Sequence, residues 1–233
     1  LQLQATVKAC QSLRSDGRIG QHFYRIPRRK AYDVPVISSR MKPSVVKVIT
    51  PFCRGLLKVG VTPDLMTIAG TTIVVLGSFL LLAQGKLIAS LFVIGLALLT
   101  DLLDGTMARI SERGPSVWGN FLDSTLDRVA DSAILLGLAI FFHKQGDSLF
   151  LVTIIAIPVS ALVPYARAKA ESLNIECKGG FAERTERLLI LGIAGLSYII
   201  GIDWALAAGI WILLALSTFT VLQRMAIVWR ATR

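Results

Sequence analysis

Apolar runs of about 20 residues, separated by short polar segments, follow one another along most of this chain. A helix of about 20 apolar residues matches the roughly 30 Å hydrocarbon core of a bilayer. The sequence therefore predicts an all-α integral membrane protein with six transmembrane helices. We expect these spans at residues 62–84, 86–109, 117–143, 148–171, 181–200 and 203–230.

A different pattern precedes the first span. Between residues 41 and 60, apolar side chains recur at helical spacing, and basic side chains form a second stripe. This pattern predicts an amphipathic juxtamembrane helix on the membrane surface, with packing against the bundle as the alternative. Thr62 and Pro63 then provide an N-cap hydroxyl and a first-turn proline, which are typical of a helix start. The six-span domain would occupy residues 61–233.

The first part of the chain is basic and contains no run long enough to span a membrane. We expect residues 1–40 to be a fused fragment of another domain or an added linker, with a native basic tail as the alternative. Residues 1–42 hold nine Lys or Arg and two Asp, which accounts for most of the net charge of +10. A basic segment beside a membrane domain favours anionic lipid as its partner, so we infer no nucleic-acid partner.

Composition agrees with a membrane protein, because 54% of the residues are hydrophobic, 17% are charged and the mean hydropathy is +0.64. Six spans would place both termini on one side. In the loops on the other side, the only Lys or Arg residues are Lys86 and Lys144. The positive-inside rule therefore predicts a multi-pass protein of the plasma membrane with both termini in the cytoplasm.

Four aspartates stand on that cytoplasmic side, between the second and third spans. Asp101 and Asp104 are three residues apart, and Asp123 and Asp127 are four apart, so each pair shares a helical face. We expect the two helices to be antiparallel neighbours that turn these carboxylates toward each other. Carboxylates near hydrocarbon need a compensating charge. Since oxygen ligands suit hard cations, the cluster predicts a Mg²⁺ site completed by substrate phosphates.

The residues beside these acids are small. Gly105 and Ala108 fall on the face of the first pair, and Gly119 falls on the stripe of the second. A bulky flat group would fit against the backbone there, which a purely structural acid cluster would not require.

These residues form the pattern D-x-x-D-G-x-x-A-R-(nine residues)-G-x-x-x-D-x-x-x-D. The pattern resembles the signature of the CDP-alcohol phosphatidyltransferases, and all eight fixed positions are present. The resemblance covers about residues 60–230. It implies a six-helix membrane enzyme, active as a homodimer, in which an alcohol attacks the lipid-side phosphorus of CDP-diacylglycerol and CMP is released.

The resemblance also implies roles for individual residues. Asp101, Asp104 and Asp123 would hold one or two Mg²⁺ or Mn²⁺ ions against the diphosphate. Asp127 would complete the metal site and take the proton from the attacking hydroxyl. The CDP-lipid contacts would come from Asp64, Thr67, Gly105, Ala108, Arg109, Ser116 and Gly119.

Five cations come from the span ends nearest the acids. An arginine inside the last span is expected to face the protein interior and find an anion, with snorkelling to the interface as the alternative. Together the five would suit the phosphate of a soluble acceptor, because arginine offers bidentate contacts. They are Arg167, Lys169, Arg184, Arg187 and Arg224.

The G-G-F-x-E-R-x-E-R stretch and the later Q-R pair resemble the actinobacterial phosphatidylinositol phosphate synthases within this family. This resemblance implies inositol phosphate as the acceptor. Arg167 and Lys169 stand in the reverse of the order in that group, and Pro164 replaces a serine.

Other classes remain open at this point. Glycerol 3-phosphate is the alternative acceptor within the same chemistry. A cation- or proton-coupled transporter would also need intramembrane acids, although usually near the midplane. A carboxylate-bridged di-iron protein is disfavoured, because the chain has no Glu-x-x-His pair. Asp131 continues the carboxylate stripe one turn deeper, and the sequence suggests only hydrogen bonding for it.

Overall fold

The computed structural model describes residues 43–111, 114–177 and 183–233, with side chains from residue 49 onward except that of Leu102. The predicted leader at residues 1–40 and the Gly-Gly-Phe stretch at 179–181 lie outside these ranges. Within the ranges the secondary structure is helical and contains no strand. The helices are α1 (Pro43–Lys58), α2 (Pro63–Leu80), α3 (Leu87–Ile110), α4 (Val117–Lys144), α5 (Leu149–Ser172), α6 (Arg184–Ile199) and α7 (Ala205–Ala231), with a 3-10 turn at Leu82–Gln84.

Four of the helical segments are long and apolar enough to cross a membrane. They are Pro63–Gln84, Leu87–Ile110, Leu149–Ser172 and Ala205–Ala231. Each agrees with a predicted span to within two residues at either end. The all-α membrane class is therefore confirmed by the length and composition of these helices.

The helices at the other two predicted spans, α4 and α6, are not among those that are long and apolar enough to cross a membrane. Helix α4 has 28 residues, but charged side chains between Asp123 and Asp131 occupy its first half. Helix α6 has 16 described residues, which extend about 24 Å at 1.5 Å per residue and fall short of a 30 Å core. The total of six spans therefore stays a prediction.

The helices after α1 pack in a closed ring. Helix α2 packs against α3 and α4, α4 against α5, α5 against α7, α7 against α6, and α6 against α3. Buried apolar side chains from five of these helices meet in one core, among them Val74, Ile94, Leu138, Ala194 and Ile210. The ring brings the C-terminal end of α3, the N-terminal half of α4 and the start of α6 to one end of the bundle.

The prediction that the two aspartate-bearing helices are direct neighbours is wrong. Helix α2 lies against both, and within the described ranges no Cα atom of α3 comes within 8 Å of one in α4. The spacing of aspartates along each helix fixes a face, but it does not decide which helices touch. A gap therefore separates α3 from α4 at the end where their carboxylates lie.

Two glycines allow the close helix contacts of this ring. A methyl group on Gly137 in α4 would lie 2.7 Å from the carbonyl oxygen of Ser78 in α2. A methyl group on Gly209 in α7 would lie 2.5 Å from the Cβ atom of Ala194 in α6. Small residues at helix contacts are typical of membrane bundles, because they let the backbones approach closely.

Helix α1 contacts the bundle through one side chain that is fully buried, Cys53. Its thiol donates to the carbonyl oxygen of Leu103 in α3 at 3.7 Å, while the neighbouring Phe52 is 58% exposed. Burial raises the pKa of the Cys53 thiol, which keeps it protonated and unreactive near neutral pH. The amphipathic helix thus contacts α3 through Cys53 and leaves apolar side chains such as Phe52 exposed.

Candidate active site

The candidate site begins with the four aspartates, which come from two helices. Asp101 and Asp104 lie near the C-terminal end of α3, and Asp123 and Asp127 lie in the N-terminal half of α4. The start of α4 is fixed by Ser116, whose hydroxyl accepts a hydrogen bond from the Gly119 amide at 2.8 Å. This N-cap fixes where α4 begins. Asp123 and Asp127 share one stripe because they are four residues apart.

The four carboxylates interact electrostatically across the gap. Asp101 repels Asp104, Asp123 and Asp127. Asp104 is the most buried of the four, and the hydroxyl of Thr67 in α2 donates to its Oδ2 atom at 2.6 Å. The structure thus brings all four predicted metal-site residues together, with α2 supplying a hydrogen bond from a third helix.

One guanidinium group lies between the two pairs. Arg184, the first residue of α6, contacts Asp101 Oδ2 through Nη1, and the same Nη1 atom lies 2.7 Å from Asp127 Oδ1. Its Nε atom lies 3.4 Å from Asp131 Oδ1. Arg184 was predicted to join the acceptor-binding cations, and in this structure it serves as the counter-charge of the acid cluster.

The local sequence places two arginines in the first turn of α6. The side chain of Glu186 accepts a hydrogen bond from the Glu183 amide at 3.0 Å, which helps to fix the helix start. Arg184 and Arg187 are three residues apart and therefore share a face. Cations are disfavoured at a helix N-terminus by about 0.3–1 kcal/mol, so these arginines depend on acidic partners. Arg187 is buried, and its Nη2 atom lies 2.6 Å from Asp131 Oδ2.

The donor set bears on whether a divalent cation fits this site. In the part of the chain that the structure describes, no three Asp, Glu, His or Cys side chains are arranged to hold one ion. The Arg184 guanidinium takes a cation's place between Asp101 and Asp127. Four carboxylates from two helices form an oxygen-only donor set, which fits Mg²⁺ or Mn²⁺. By their chemistry, though not by their present spacing, these residues fit a divalent metal that would replace Arg184.

Some of the predicted nucleotide residues lie close to one another. A methyl group on Gly119 would lie 3.1 Å from Asp64 Oδ1 and 3.0 Å from Ser116 Oγ, so the starts of α2 and α4 meet here. A methyl group on Gly105 would meet nothing within 4 Å, which leaves open space beside the acids. Ala108 is half-buried on the same helix, and Arg109 is exposed.

The predicted acceptor cations divide into buried and exposed members. Arg224 is 3% exposed, donates to the carbonyl of Val163 in α5, and lies close enough to Arg167 and Arg187 to be repelled by them. Arg167 is exposed and pairs with Glu171 at 2.9 Å. Lys169 is exposed in the last turn of α5. The structure therefore gathers Arg224, Arg187 and Arg167 near one another and leaves Lys169 on the surface.

Two residues of this region were given no role by the sequence. Asp131 contacts both Arg184 and Arg187, and Arg128 donates to the Ser124 carbonyl beside it. The position of Asp131, four residues after Asp127, was the available signal, because the stripe of acids continues through it. No spacing pattern singled out Arg128.

Comparisons with known proteins show the family of this chain. A family model described as CDP-alcohol phosphatidyltransferase matches residues 60–229. The phosphatidylinositol phosphate synthase of Mycobacterium tuberculosis is 42% identical over 194 residues, which cover 81% of this chain and 88% of that protein. The enzyme of the same name from Streptomyces avermitilis is 39% identical over 193 residues, covering 79% of each chain.

Solved structures match as well. The crystal structure of the Mycobacterium tuberculosis phosphatidylinositol phosphate synthase with CDP-DAG bound superposes with a TM-score of 0.73 at 40% identity, covering 78% of this chain and 94% of that one. The same enzyme in complex with manganese and citrate gives a TM-score of 0.72 at 40% identity, covering 78% and 88%. With a family model spanning most of its length and relatives of this similarity, the chain belongs to the CDP-alcohol phosphatidyltransferase family.

Proposed function

We propose that this chain transfers the phosphatidyl group of CDP-diacylglycerol to a hydroxyl of inositol phosphate, forming phosphatidylinositol phosphate and releasing CMP. The observation that carries the proposal is the convergence of four aspartates from α3 and α4 on a gap that the first turn of α6 closes with arginine. The similarity to phosphatidylinositol phosphate synthases supports inositol phosphate as the acceptor.

Asp101, Asp104, Asp123 and Asp127 would hold one or two Mg²⁺ or Mn²⁺ ions in this proposal. The manganese complex of a solved relative supports the use of a divalent metal. When bound, such an ion neutralises the negative charge of the diphosphate and stabilises the departing CMP. Thr67 supports this role, because its hydroxyl holds the buried Asp104 carboxylate in one orientation.

The cytidine nucleotide would lie against the small residues beside the acids. The open space at Gly105 supports this assignment. We assign the remaining contacts by the motif and by proximity to the gap. They are Asp64, Thr67, Ala108, Arg109, Ser116 and Gly119.

The reaction in this proposal is a displacement at phosphorus. The acceptor hydroxyl oxygen bonds to the lipid-side phosphorus while the bond from that phosphorus to the CMP oxygen breaks. Asp127 takes the hydroxyl proton on a carboxylate oxygen. Its side chain is 23% exposed, so it lies at the edge of the gap, where a soluble acceptor would approach.

The acceptor phosphate would be bound by Arg187 and Arg224, with Arg184, Arg167 and Lys169 around them. Arg187 and Arg224 are buried and close to each other, which suits a doubly charged anion placed between them. The guanidinium of Arg184 would turn from the acids toward this anion when a divalent cation takes its place.

We also propose that the chain works in the plasma membrane, with both termini and the active site in the cytoplasm, and that it acts as a homodimer. The unequal distribution of Lys and Arg between the loops supports the orientation. Residues 61–233 would form the catalytic domain, and α1 would lie at the cytoplasmic membrane surface.

An acceptor screen tests the proposed function. Purified protein is supplied with CDP-diacylglycerol, Mg²⁺ and one alcohol at a time, and CMP is measured. We expect metal-dependent release with inositol phosphate, and we expect Asp127→Asn to abolish it while the protein remains folded. Release only with glycerol 3-phosphate would identify the other acceptor. Absence of CMP release with every alcohol would contradict the enzyme assignment and favour a transporter.

A further inference from the structure

Asp131 contacts two of the cations that we assign to the acceptor phosphate. Its Oδ1 atom lies 3.4 Å from Arg184 Nε, and its Oδ2 atom lies 2.6 Å from Arg187 Nη2. The Asp131 side chain is 15% exposed and lies on α4, whereas both arginines lie in the first turn of α6. One carboxylate therefore ties two guanidinium groups of another helix to α4.

The two arginines need such a partner to stay close together. They carry like charges on one helical face, at the helix end where the macrodipole also disfavours cations. Of the three carboxylates that Arg184 contacts, Asp101 and Asp127 belong to the proposed metal site, and Asp131 does not. Asp131 would therefore keep its contacts with the arginines when a metal engages the other two.

We propose that Asp131 is a positioning residue. It holds the guanidinium groups of Arg184 and Arg187 in the orientations in which both bind the acceptor's phosphate. This inference rests on the proposed function. The carboxylate does not touch the phosphate. It fixes the directions of the N–H groups that do, which lowers the entropy lost when the acceptor binds.

A small cavity beside this ion pair supports the assignment. It has a volume of about 10 Å³, and its lining includes Asp131, Arg187, Arg128 and Ser160. Among the residues that the structure describes, the buried hydroxyl of Ser160 has no hydrogen-bond partner. A space of this size holds about one water molecule, and Asp131, Arg187, Arg128 and Ser160 are among the polar groups that border it. The Asp131 carboxylate thus borders a small space that Arg187 also lines.

Steady-state kinetics of the full chain test the inference. For Asp131→Asn, we expect the KM for inositol phosphate to rise about tenfold or more, while the KM for CDP-diacylglycerol and kcat change by less than about threefold. Asp131→Glu should recover part of the loss. Asp147→Asn, at the opposite end of the bundle, is the matched control and should leave both KM values unchanged. Equal increases in both KM values would overturn the inference.

A double-mutant cycle with Arg187→Gln asks whether Asp131 acts through that arginine. In the Arg187→Gln background, we expect Asp131→Asn to raise the KM for inositol phosphate by a clearly smaller factor than in the native chain, because only the contact with Arg184 remains to be lost. Full additivity would overturn the inference. The cycle stays informative if Asp131→Asn alone does not fold. The double variant removes both charges of the pair, and its KM is compared with that of Arg187→Gln.

Direct binding separates this inference from the proposed function. Calorimetry of inositol phosphate without the lipid needs no turnover, and we expect Asp131→Asn to weaken binding about tenfold. If the native chain releases no CMP with inositol phosphate, the proposed function fails. A native chain that binds this ligand no better than Asp131→Asn does would overturn the role of Asp131 even if CMP release is observed.

Discussion

Asp104 is held differently from the other three aspartates of the candidate site. It is 6% exposed, and its partner Thr67 comes from the first turns of α2, a helix that carries none of the four aspartates. The N-cap of α2, where Thr62 accepts from the Leu65 amide, sets the start of that helix and so the position of Thr67. A residue that the resemblance assigns to the nucleotide therefore also orients a proposed metal ligand.

Removing the Thr67 hydroxyl should weaken the metal site. Partners that orient metal ligands typically contribute about 10–100-fold to metal affinity. We expect Thr67→Val to raise the Mn²⁺ concentration needed for half-maximal CMP release by at least about tenfold. Thr72→Val is the control, since the Thr72 hydroxyl bonds only within its own helix, to the Ile68 carbonyl at 2.8 Å. An equal response of the two variants would contradict the role of Thr67.

The buried arginine of α7 should act on the soluble substrate alone. Hydrogen bonds to charged groups contribute about 1.5–3 kcal/mol, so Arg224→Ala should raise the KM for inositol phosphate about tenfold or more. The KM for CDP-diacylglycerol should change little. Arg230→Ala, an exposed arginine six residues further along the same helix, serves as the control. If Arg224→Ala raised both KM values equally, the acceptor pocket would lie elsewhere.

The position of the Arg184 side chain is one feature of the site that the sequence did not predict. Spacing along one helix predicted which side chains share a face, and the four aspartates lie near enough to repel one another. It could not predict that Arg184 lies among them, because the contact joins residues 83 positions apart. The link from Asp131 to Arg187 spans 56 positions and was missed for the same reason.

At the scale of helices, the hydrophobic pattern predicted where each element begins and ends. The described helices agree with the predicted spans because apolar runs and caps such as Thr62 are local signals. Local sequence did not indicate which helices pack against each other. Helix α2 contacts both α3 and α4, and the ring depends on glycines whose partners lie on other helices.

Adding one methyl group at two glycines of the bundle should have opposite effects. Alanine is favoured over glycine in a helix by about 1 kcal/mol. Gly137→Ala must also displace the Ser78 carbonyl, so we expect the free energy of unfolding to fall by about 1–3 kcal/mol. Gly192→Ala is the matched control, because its methyl group would meet nothing within 4 Å.

Thermal unfolding in detergent measures both variants. A change of 1 kcal/mol shifts Tm by about 2–4 °C in a domain of this size. Gly137→Ala should therefore unfold several degrees below the native chain, while Gly192→Ala should unfold at the same temperature or higher. An unchanged Tm for Gly137→Ala would contradict the close contact between α2 and α4.

At the scale of the whole molecule, the distribution of charge and the ring of packed helices put the candidate active site at one end of the bundle. The four aspartates, the first-turn arginines of α6 and the buried Arg224 gather at the end of the bundle where α3 finishes and α4 begins. The opposite loops carry Lys86 and Lys144 as their only basic residues. Water-soluble substrates would reach this end from the cytoplasm, where nucleotides are held.

Cysteine labelling of cells tests that orientation. In a background with the native cysteines replaced and CMP release retained, Gln145→Cys should react with a membrane-impermeant maleimide from outside. Arg233→Cys should react only after the membrane is opened, because the last span should end in the cytoplasm. Labelling of Arg233→Cys in intact cells would contradict both the orientation and the even number of spans.

The central claim is that aspartates from α3 and α4 jointly hold a divalent cation, and Mn²⁺ binding tests it most directly. Free Mn²⁺ is counted by electron paramagnetic resonance in the presence of the purified chain, Asp127→Asn and the control Asp147→Asn. We expect the native chain and Asp147→Asn to bind one or two ions alike, and Asp127→Asn to bind at least about tenfold more weakly. Equal binding by all three proteins would contradict the claim.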